Sequence, residues 1–486
     1  MYQSHDRAAQ DFVRTIQRRT FLSQAGVGLG SLALSTLLGR GATPLRAAVE
    51  PARGIPGLPH FAAKAKRVIF LCMAGGPSHL ETFDFKQKLI DLHDQPMPES
   101  FTKGQPIAQL QGQVLKAHRP MVGFKQHGQN GQWMSDLMPW HHKMADDICI
   151  VKSMVTEQIN HDPAHTFMNA GTAISGRPSM GAWINYGLGA ETDNLPGFVV
   201  LTSIGGRNND QPIASRQWSS GFLPSRFQGV EFNSTGEPVH YVRSPAGVPQ
   251  QLQQATVSAI QELDRLRNPM GTEPEVDTRI AAFETAFRMQ TSVPDLMDIS
   301  GEPEHVLKLY GATPGDGSFA SNCLLARRLA QRGVRFIHLY HRGWDHHGNL
   351  ARDIERCAHY TDQASYALIA DLKQQGMLED TLVIWGGEFG RTPMVQGKGE
   401  QPGRDHHIKG FSMWMAGGGI QPGISYGNTD ELGYHSVENP VHVRDMHATM
   451  LHQLGIDHKR FSYRYQGLDM KLTGVEEAKV VRGILS

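Results

Sequence analysis

The sequence predicts an α/β protein built on a mostly parallel sheet, and three observations carry that prediction. Short, fully apolar runs recur, among them Val68-Ile69-Phe70-Leu71-Cys72-Met73-Ala74, Val334 to Tyr340 and Thr381-Leu382-Val383-Ile384-Trp385. Such runs read as strands covered on both faces, as parallel sheets require. Helical stretches alternate with them: Asn322 to Arg332 ends at Gly333, and Asp353 to Gln375 stops at Gly376. Strand–helix–strand order with glycine-marked joins indicates βαβ units. Finally, clusters of carboxylates and imidazoles flank the apolar runs, and parallel sheets place their ligand sites at strand carboxyl ends.

Taken in chain order, the first feature is an address. Gln17-Arg18-Arg19-Thr20-Phe21-Leu22 precedes a glycine-rich, weakly apolar stretch from Ser23 to Leu38, with Ala47-Ala48 beyond it. This resembles a twin-arginine export signal. Residues 1–48 are therefore expected to be the signal, 49–66 a linker, and 67–486 a single domain whose destination is periplasmic or extracellular. The stretch is short for a membrane span, and no later run is long and apolar enough for one, so no membrane partner is expected after signal removal. Asp147 to Val151 and Gly197 to Leu201 read as the second and third strands. Residues from about 203 to 300 are rich in Gly, Asn, Gln and Ser and read as an insertion or cap, with helices over Gln251 to Arg267 and Asp277 to Gln290.

Composition removes several function classes. The 486 residues carry a formal net charge of zero, which is no electrostatic footprint for nucleic acid. Cys72, Cys149, Cys323 and Cys357 are far apart and form no C-x-x-C, which argues against a thiolate zinc site or a redox pair.

The chemistry sits in three late clusters. Gly343-Trp344-Asp345-His346-His347-Gly348 follows one apolar run, Gly386-Gly387-Glu388-Phe389-Gly390 follows the next, and Arg404-Asp405-His406-His407 precedes Phe411 to Ala416. In a D-x-H triplet, alternate residues face the same way, so Asp345 and His347 can converge. An Asp capping a turn beside surface histidines is the equally weighted alternative. Glu388 directly follows an apolar strand, where a carboxylate is costly unless solvated, paired or metal-bound. His406 and His407 are adjacent and face opposite ways in an extended segment, so one of them is expected to be a ligand. Earlier, His79 follows the first strand at Gly75-Gly76-Pro77-Ser78-His79, and Asp84 could serve nearby or cap a turn. His161 and His165 lie four apart at an expected helix start and could share one helical face, with a histidine-bearing first turn that holds no ligand as the alternative. Asp, Glu and His together suit zinc, manganese or iron.

The order of these segments is similar to the sulfatase and alkaline-phosphatase superfamily. Arg67 to Met73 resembles its first strand, Pro163-Ala164-His165 through Gly176-Arg177-Pro178 its nucleophile helix, and Arg444-Asp445-Met446-His447 its C-terminal helix. Met-Ala-Gly-Gly-Pro-Ser-His at Met73, Ser175 to Trp183, Gly-Trp-Asp-His-His and Gly-Gly-Glu-Phe-Gly-Arg-Thr-Pro resemble the branch known as DUF1501. The resemblance implies an alkaline-phosphatase-like three-layer α/β sandwich. It implies an exported hydrolase of sulfate or phosphate esters with one or two divalent ions, zinc foremost and manganese or iron as alternatives, acting on a small anionic or sulfated saccharide-type substrate. Expected ligands are His79, Asp345, His347, Glu388 and His407. His161 occupies the nucleophile position and would act as nucleophile or general acid/base, and Arg177 or Arg391 would clamp the anion.

The sequence also departs from that pattern. Glycines stand where the superfamily's first strand ends in an aspartate, His161 replaces a Ser, Thr or Cys nucleophile, and Glu388-Phe389 replaces an Asp-His pair. The second expectation is therefore a non-catalytic, metal-stabilised binding or assembly protein that retains the fold.

Overall fold

A central nine-stranded sheet places the loops bearing Asp345 and Glu388 at the ends of its strands. In the computed structural model, residues 54–205, 213–239, 259, 289, 292–397 and 401–486 are described. The expected export signal and the expected helices over 251–267 and 277–290 lie outside the described residues, apart from positions 259 and 289.

The strands are β1 (Arg67–Met73), β2 (Cys149–Val155), β3 (Phe198–Thr202), β4 (Val230–Phe232), β5 (Phe336–His341), β6 (Thr381–Gly386), β7 (Phe411–Ala416), β8 (Ile424–Tyr426) and β9 (Val441–His442). Their order is β8-β2-β7-β6-β1-β5-β3-β4, with β9 also pairing β2. The pairs β1–β5, β1–β6, β3–β5, β3–β4, β2–β8 and β2–β9 are parallel. Only β7 runs against its neighbours β2 and β6. The sheet is thus mixed but mostly parallel, as the apolar runs predict. β2 extends four residues beyond the expected Val151 because Met154 and Val155 find ladder partners in Val441 and His442.

The longer helices are α1 (His161–Ala170), α2 (Met180–Leu188), α3 (Phe319–Gln331), α4 (Leu350–Gln374) and α5 (Val443–Gln453). They form two layers, one on each face of the sheet. All seven residues of β1 are buried, and their alternation divides them. Ile69, Leu71 and Met73 join one apolar core with α3 and α4. Val68, Phe70 and Cys72 join another with α1, α2 and α5. Period-2 alternation with both faces apolar is the physical signature of a middle layer.

Local signals start and stop these helices. The Ser318 hydroxyl accepts the Ser321 backbone N–H at the start of α3. His442 and Asp445 form a reciprocal capping box at α5. α1 ends at Gly171, whose φ of 68° is left-handed and suits a residue without Cβ. In the expected cap region, the described residues supply the edge strand β4. No helix among the described residues is long and apolar enough to cross a membrane.

Candidate metal centre

Three histidines and one aspartate from three separate segments meet beyond the carboxyl ends of β5 and β6. Asp345 lies in the loop after β5. Its Oδ1 is 3.2 Å from His161 Nε2, 2.9 Å from His347 Nε2 and 3.3 Å from His406 Nε2. His347 Nε2 and His406 Nε2 are themselves 2.9 Å apart. The other nitrogen of each ring is engaged by oxygen. His161 Nδ1–H donates to Glu388 Oε1 at 2.6 Å, His347 Nδ1–H to Gln396 Oε1 at 2.5 Å, and His406 Nδ1–H to the Ile159 carbonyl at 2.7 Å.

This pattern fixes the lone pairs. A neutral imidazole that donates from Nδ1 presents a bare acceptor at Nε2. Three such acceptors and a carboxylate oxygen therefore face one another, an arrangement that attracts a cation. Oxygen partners behind the ligand rings are the recurrent outer layer of histidine metal sites. A second group, His161, His165 and Glu388, shares His161; His165 Nε2 is 3.4 Å from Glu388 Oε1.

Each contributor is placed by local structure. His161 and His165 sit one turn apart at the start of α1. Glu388 is fully buried just past β6, and the Gly75 backbone N–H donates to both its oxygens at 3.0 and 3.1 Å. Gly75 has φ 120°, and a Cβ there would lie 2.5 Å from the Asp345 nitrogen. The turn after β1 has no room for the aspartate that the superfamily pattern puts there. Gly390–Arg391 and His406–His407 form a two-residue antiparallel ladder.

Electrostatics follow the packing. Burial alone would raise the Asp345 pKa, but the Arg391 guanidinium and the three imidazoles outweigh it and hold the carboxyl far below its usual range. Glu388 behaves alike: burial opposes ionisation, yet His165 and His161 bring its pKa down to about 2. Burial lowers His406 to about 4 despite the Asp345 hydrogen bond. His161 is the exception. Burial lowers it, but Asp345 and Glu388 more than compensate, and its pKa is raised. His161 and His406 are nearly closed off, whereas the side chains of Asp345 and His347 are about a quarter exposed, at 23% and 25%. The cluster opens to solvent on the Asp345–His347 side.

Of the residues expected from sequence, the structure brings together His161, Asp345, His347, Glu388 and Arg391, and leaves the others apart. His407 turns away from the cluster. Its Nε2–H donates to the Tyr434 carbonyl at 2.5 Å, its ring stacks on Tyr434, and burial lowers its pKa to about 3. His79 is buried with Nε2–H on the Gly433 carbonyl at 2.9 Å, and Asp84 pairs with Lys86. Arg177 contacts the Met470 sulfur at 3.4 Å and lies over the Phe222 ring. Arg391 is at the cluster but turned to structure. It donates to the Gly75, Gly76 and Arg404 carbonyls and, at 2.7 Å, to Asp345 Oδ1. His406 stands where His407 was expected. His165, Gln396 and Gln109 complete the surroundings, and only the four-residue spacing of His161 and His165 announced any of these in the sequence.

A family model described as "Protein of unknown function (DUF1501)" matches residues 65–485. No curated protein matches the sequence. Among solved structures, similar chains include a phosphonate monoester hydrolase from Silicibacter pomeroyi, at 11% identity over 86% of this chain and 76% of that one, with a TM-score of 0.32. A sulfatase from a Pseudoalteromonas species shows 12% identity over 81% and 68%, with a TM-score of 0.33. A third, crystallised with a neocarrahexaose, shows 9% identity over 80% and 72%, with a TM-score of 0.34.

Proposed function

The chain belongs to the DUF1501 family, and we propose that it is an exported, metal-dependent hydrolase of anionic esters, sulfate or phosphate. The observation that carries this reading is the convergence of His161, His347 and His406 Nε2 on Asp345 Oδ1, with every Nδ1 held by an oxygen. Three histidines and one carboxylate suit zinc, with manganese or iron less favoured by the nitrogen-rich set. A bound divalent ion supplies Lewis-acid polarisation of an ester oxygen or an acidified water.

The chain's own residues do the rest. Asp345 and the three imidazoles hold the ion, which makes His161 a ligand in this reading rather than a nucleophile. Glu388 keeps His161 oriented from behind, and Gln396 does the same for His347. Arg391 holds Asp345 and the turn after β1 in register. The half-open face beside His347 is where a substrate oxygen arrives. The substrate class, a small anionic or sulfated saccharide-type ester, rests on the motif resemblance described above, as does export.

A second reading, a non-catalytic metal-stabilised protein, has one observation in its favour: Arg391 spends its donors on backbone carbonyls and Asp345. Two measurements separate them. Plasma mass spectrometry of the purified protein is expected to find zinc, manganese or iron bound, and Asp345→Asn is expected to lose it. Turnover of aryl sulfates or phosphates that a chelator abolishes supports the hydrolase. Bound metal with no turnover across that panel moves the assignment to the second reading, and a metal-free, stable protein removes the metal centre altogether.

A further inference from the structure

A closed ring of three hydrogen bonds covers the open side of the cluster. His347 donates from Nδ1 to Gln396 Oε1 at 2.5 Å, Gln396 donates from Nε2 to Gln109 Oε1 at 2.9 Å, and Gln109 donates from Nε2 to His347 Nε2 at 3.3 Å. Gln109 belongs to an irregular stretch and is exposed. Its backbone is nevertheless fastened. The buried Asp405 carboxylate accepts the N–H of Gln109 at 2.6 Å and of Leu110 at 3.0 Å, and Leu110 packs with Leu80 and Leu89. Asp405 is the chain neighbour of His406. The segment bearing Gln109 is therefore tied to the same short ladder that delivers a cluster histidine.

The nitrogen that Gln109 meets is the one that faces Asp345. An imidazole Nε2 has a single lone pair, and a cation that takes it removes the acceptor of the Gln109 amide. The Gln109 oxygen stays held by Gln396, so the freed N–H group remains on the solvent-facing side of the centre. A fixed amide donor beside a cation is suited to an anionic oxygen.

We propose that Gln109 is a substrate-facing residue of this site: its amide N–H, released from His347 when metal binds, contacts an oxygen of the sulfate or phosphate group. Gln396 is a positioning residue that holds both Gln109 and His347. This inference rests on the metal-centre reading above, and the test keeps the two apart.

The unaltered chain, Gln109→Leu and Gln396→Leu are titrated with cobalt(II), whose visible absorption reports its coordination. Each cobalt-loaded protein is then titrated with inorganic sulfate and with inorganic phosphate. Gln109→Leu is expected to bind cobalt as the unaltered chain does and to bind the anions about tenfold more weakly, the effect of one charge-assisted hydrogen bond. Gln396→Leu is expected to weaken cobalt binding roughly 10–100-fold, as loss of an outer partner does. Circular dichroism confirms folding, and Gln109→Glu, which preserves length but repels anions, is expected to lose anion binding while retaining cobalt. Failure of the unaltered chain to bind cobalt overturns the metal centre and this inference with it. Cobalt binding with anion affinity unchanged in Gln109→Leu, or with no anion binding to the unaltered chain, overturns the role of Gln109 alone.

Discussion

Glu388 and His161 show how much of a site is decided by which atom faces which. Glu388 is fully buried, yet its pKa falls to about 2, because two imidazoles outweigh the cost of burial. With its Oε1 on His161 Nδ1, it would act as the carboxylate behind a ligand. Glu388→Gln is accordingly expected to leave one ion bound per chain with affinity reduced roughly 10–100-fold. A competition titration with a metal-binding dye checks this, and loss of one of two bound ions would instead make Glu388 a ligand of a second site. His161 sets the pH dependence. Its pKa is raised above the ordinary 6.5 in the metal-free protein, since Asp345 and Glu388 favour the charged ring over what burial opposes. A proton therefore occupies the ring below that raised pKa and must leave before Nε2 can bind a cation. Metal affinity should climb as pH rises toward the raised pKa and level off above it. Calorimetric titration from about pH 6 upward reads this directly, and a flat profile would take His161 out of the ligand set.

Among the elements, the short His406–His407 ladder depends most on long-range support. Arg404, immediately before it, is fully buried against the equally buried Glu81. The guanidinium donates to Glu81 at 2.7–3.1 Å and to the carbonyls of His118, Arg119 and Thr392. Removing one partner leaves an uncompensated buried charge, a loss of about 3–5 kcal/mol. Arg404→Met is expected to lower stability by that order in denaturant unfolding and to displace His406, so metal affinity falls as well. An Arg404→Met/Glu81→Leu double variant should recover stability, because both charges are then gone; no recovery would mean the pair itself is not the cause. The strands were legible because their apolar runs carry their own evidence, and the carboxyl-end position of Asp345 and Glu388 followed from them. The choice of His406 over His407 was not legible. It depends on pairing with Gly390–Arg391, a register set by tertiary contacts rather than by neighbours in sequence. Arg391 looked like an anion clamp for a related reason. Nothing in Phe-Gly-Arg-Thr reveals that its donors will meet the carbonyls of Gly75 and Gly76.

For the molecule as a whole, an ion bound as proposed would tie together α1, the loop after β5 and the segment before β7. Anything that binds the folded state alone stabilises it in proportion to the logarithm of its concentration, by about 2.7 kcal/mol at a hundredfold excess over Kd. Zinc should therefore raise the melting temperature progressively in the unaltered protein. The same titration should leave Asp345→Asn unmoved, and a zinc response retained in that variant would place the ion elsewhere. The two apolar cores on opposite faces of the sheet were foreseeable from alternation within β1. The convergence of His161, Asp345, His347 and His406 was not, because none of the three segments holds the full set of its own.

The spacing of the ligands along the chain has a consequence for synthesis. His161 and the Glu388 behind it are 227 residues apart, and His347 and His406 a further 59 from each other. A nascent chain that has reached Asp345 offers a single one of the three imidazoles, and the last arrives only when His406 pairs with Arg391. On the metal-centre reading, an ion would then be captured late, by a nearly finished fold. On that reading, the metal supply where folding ends would decide which element the site carries.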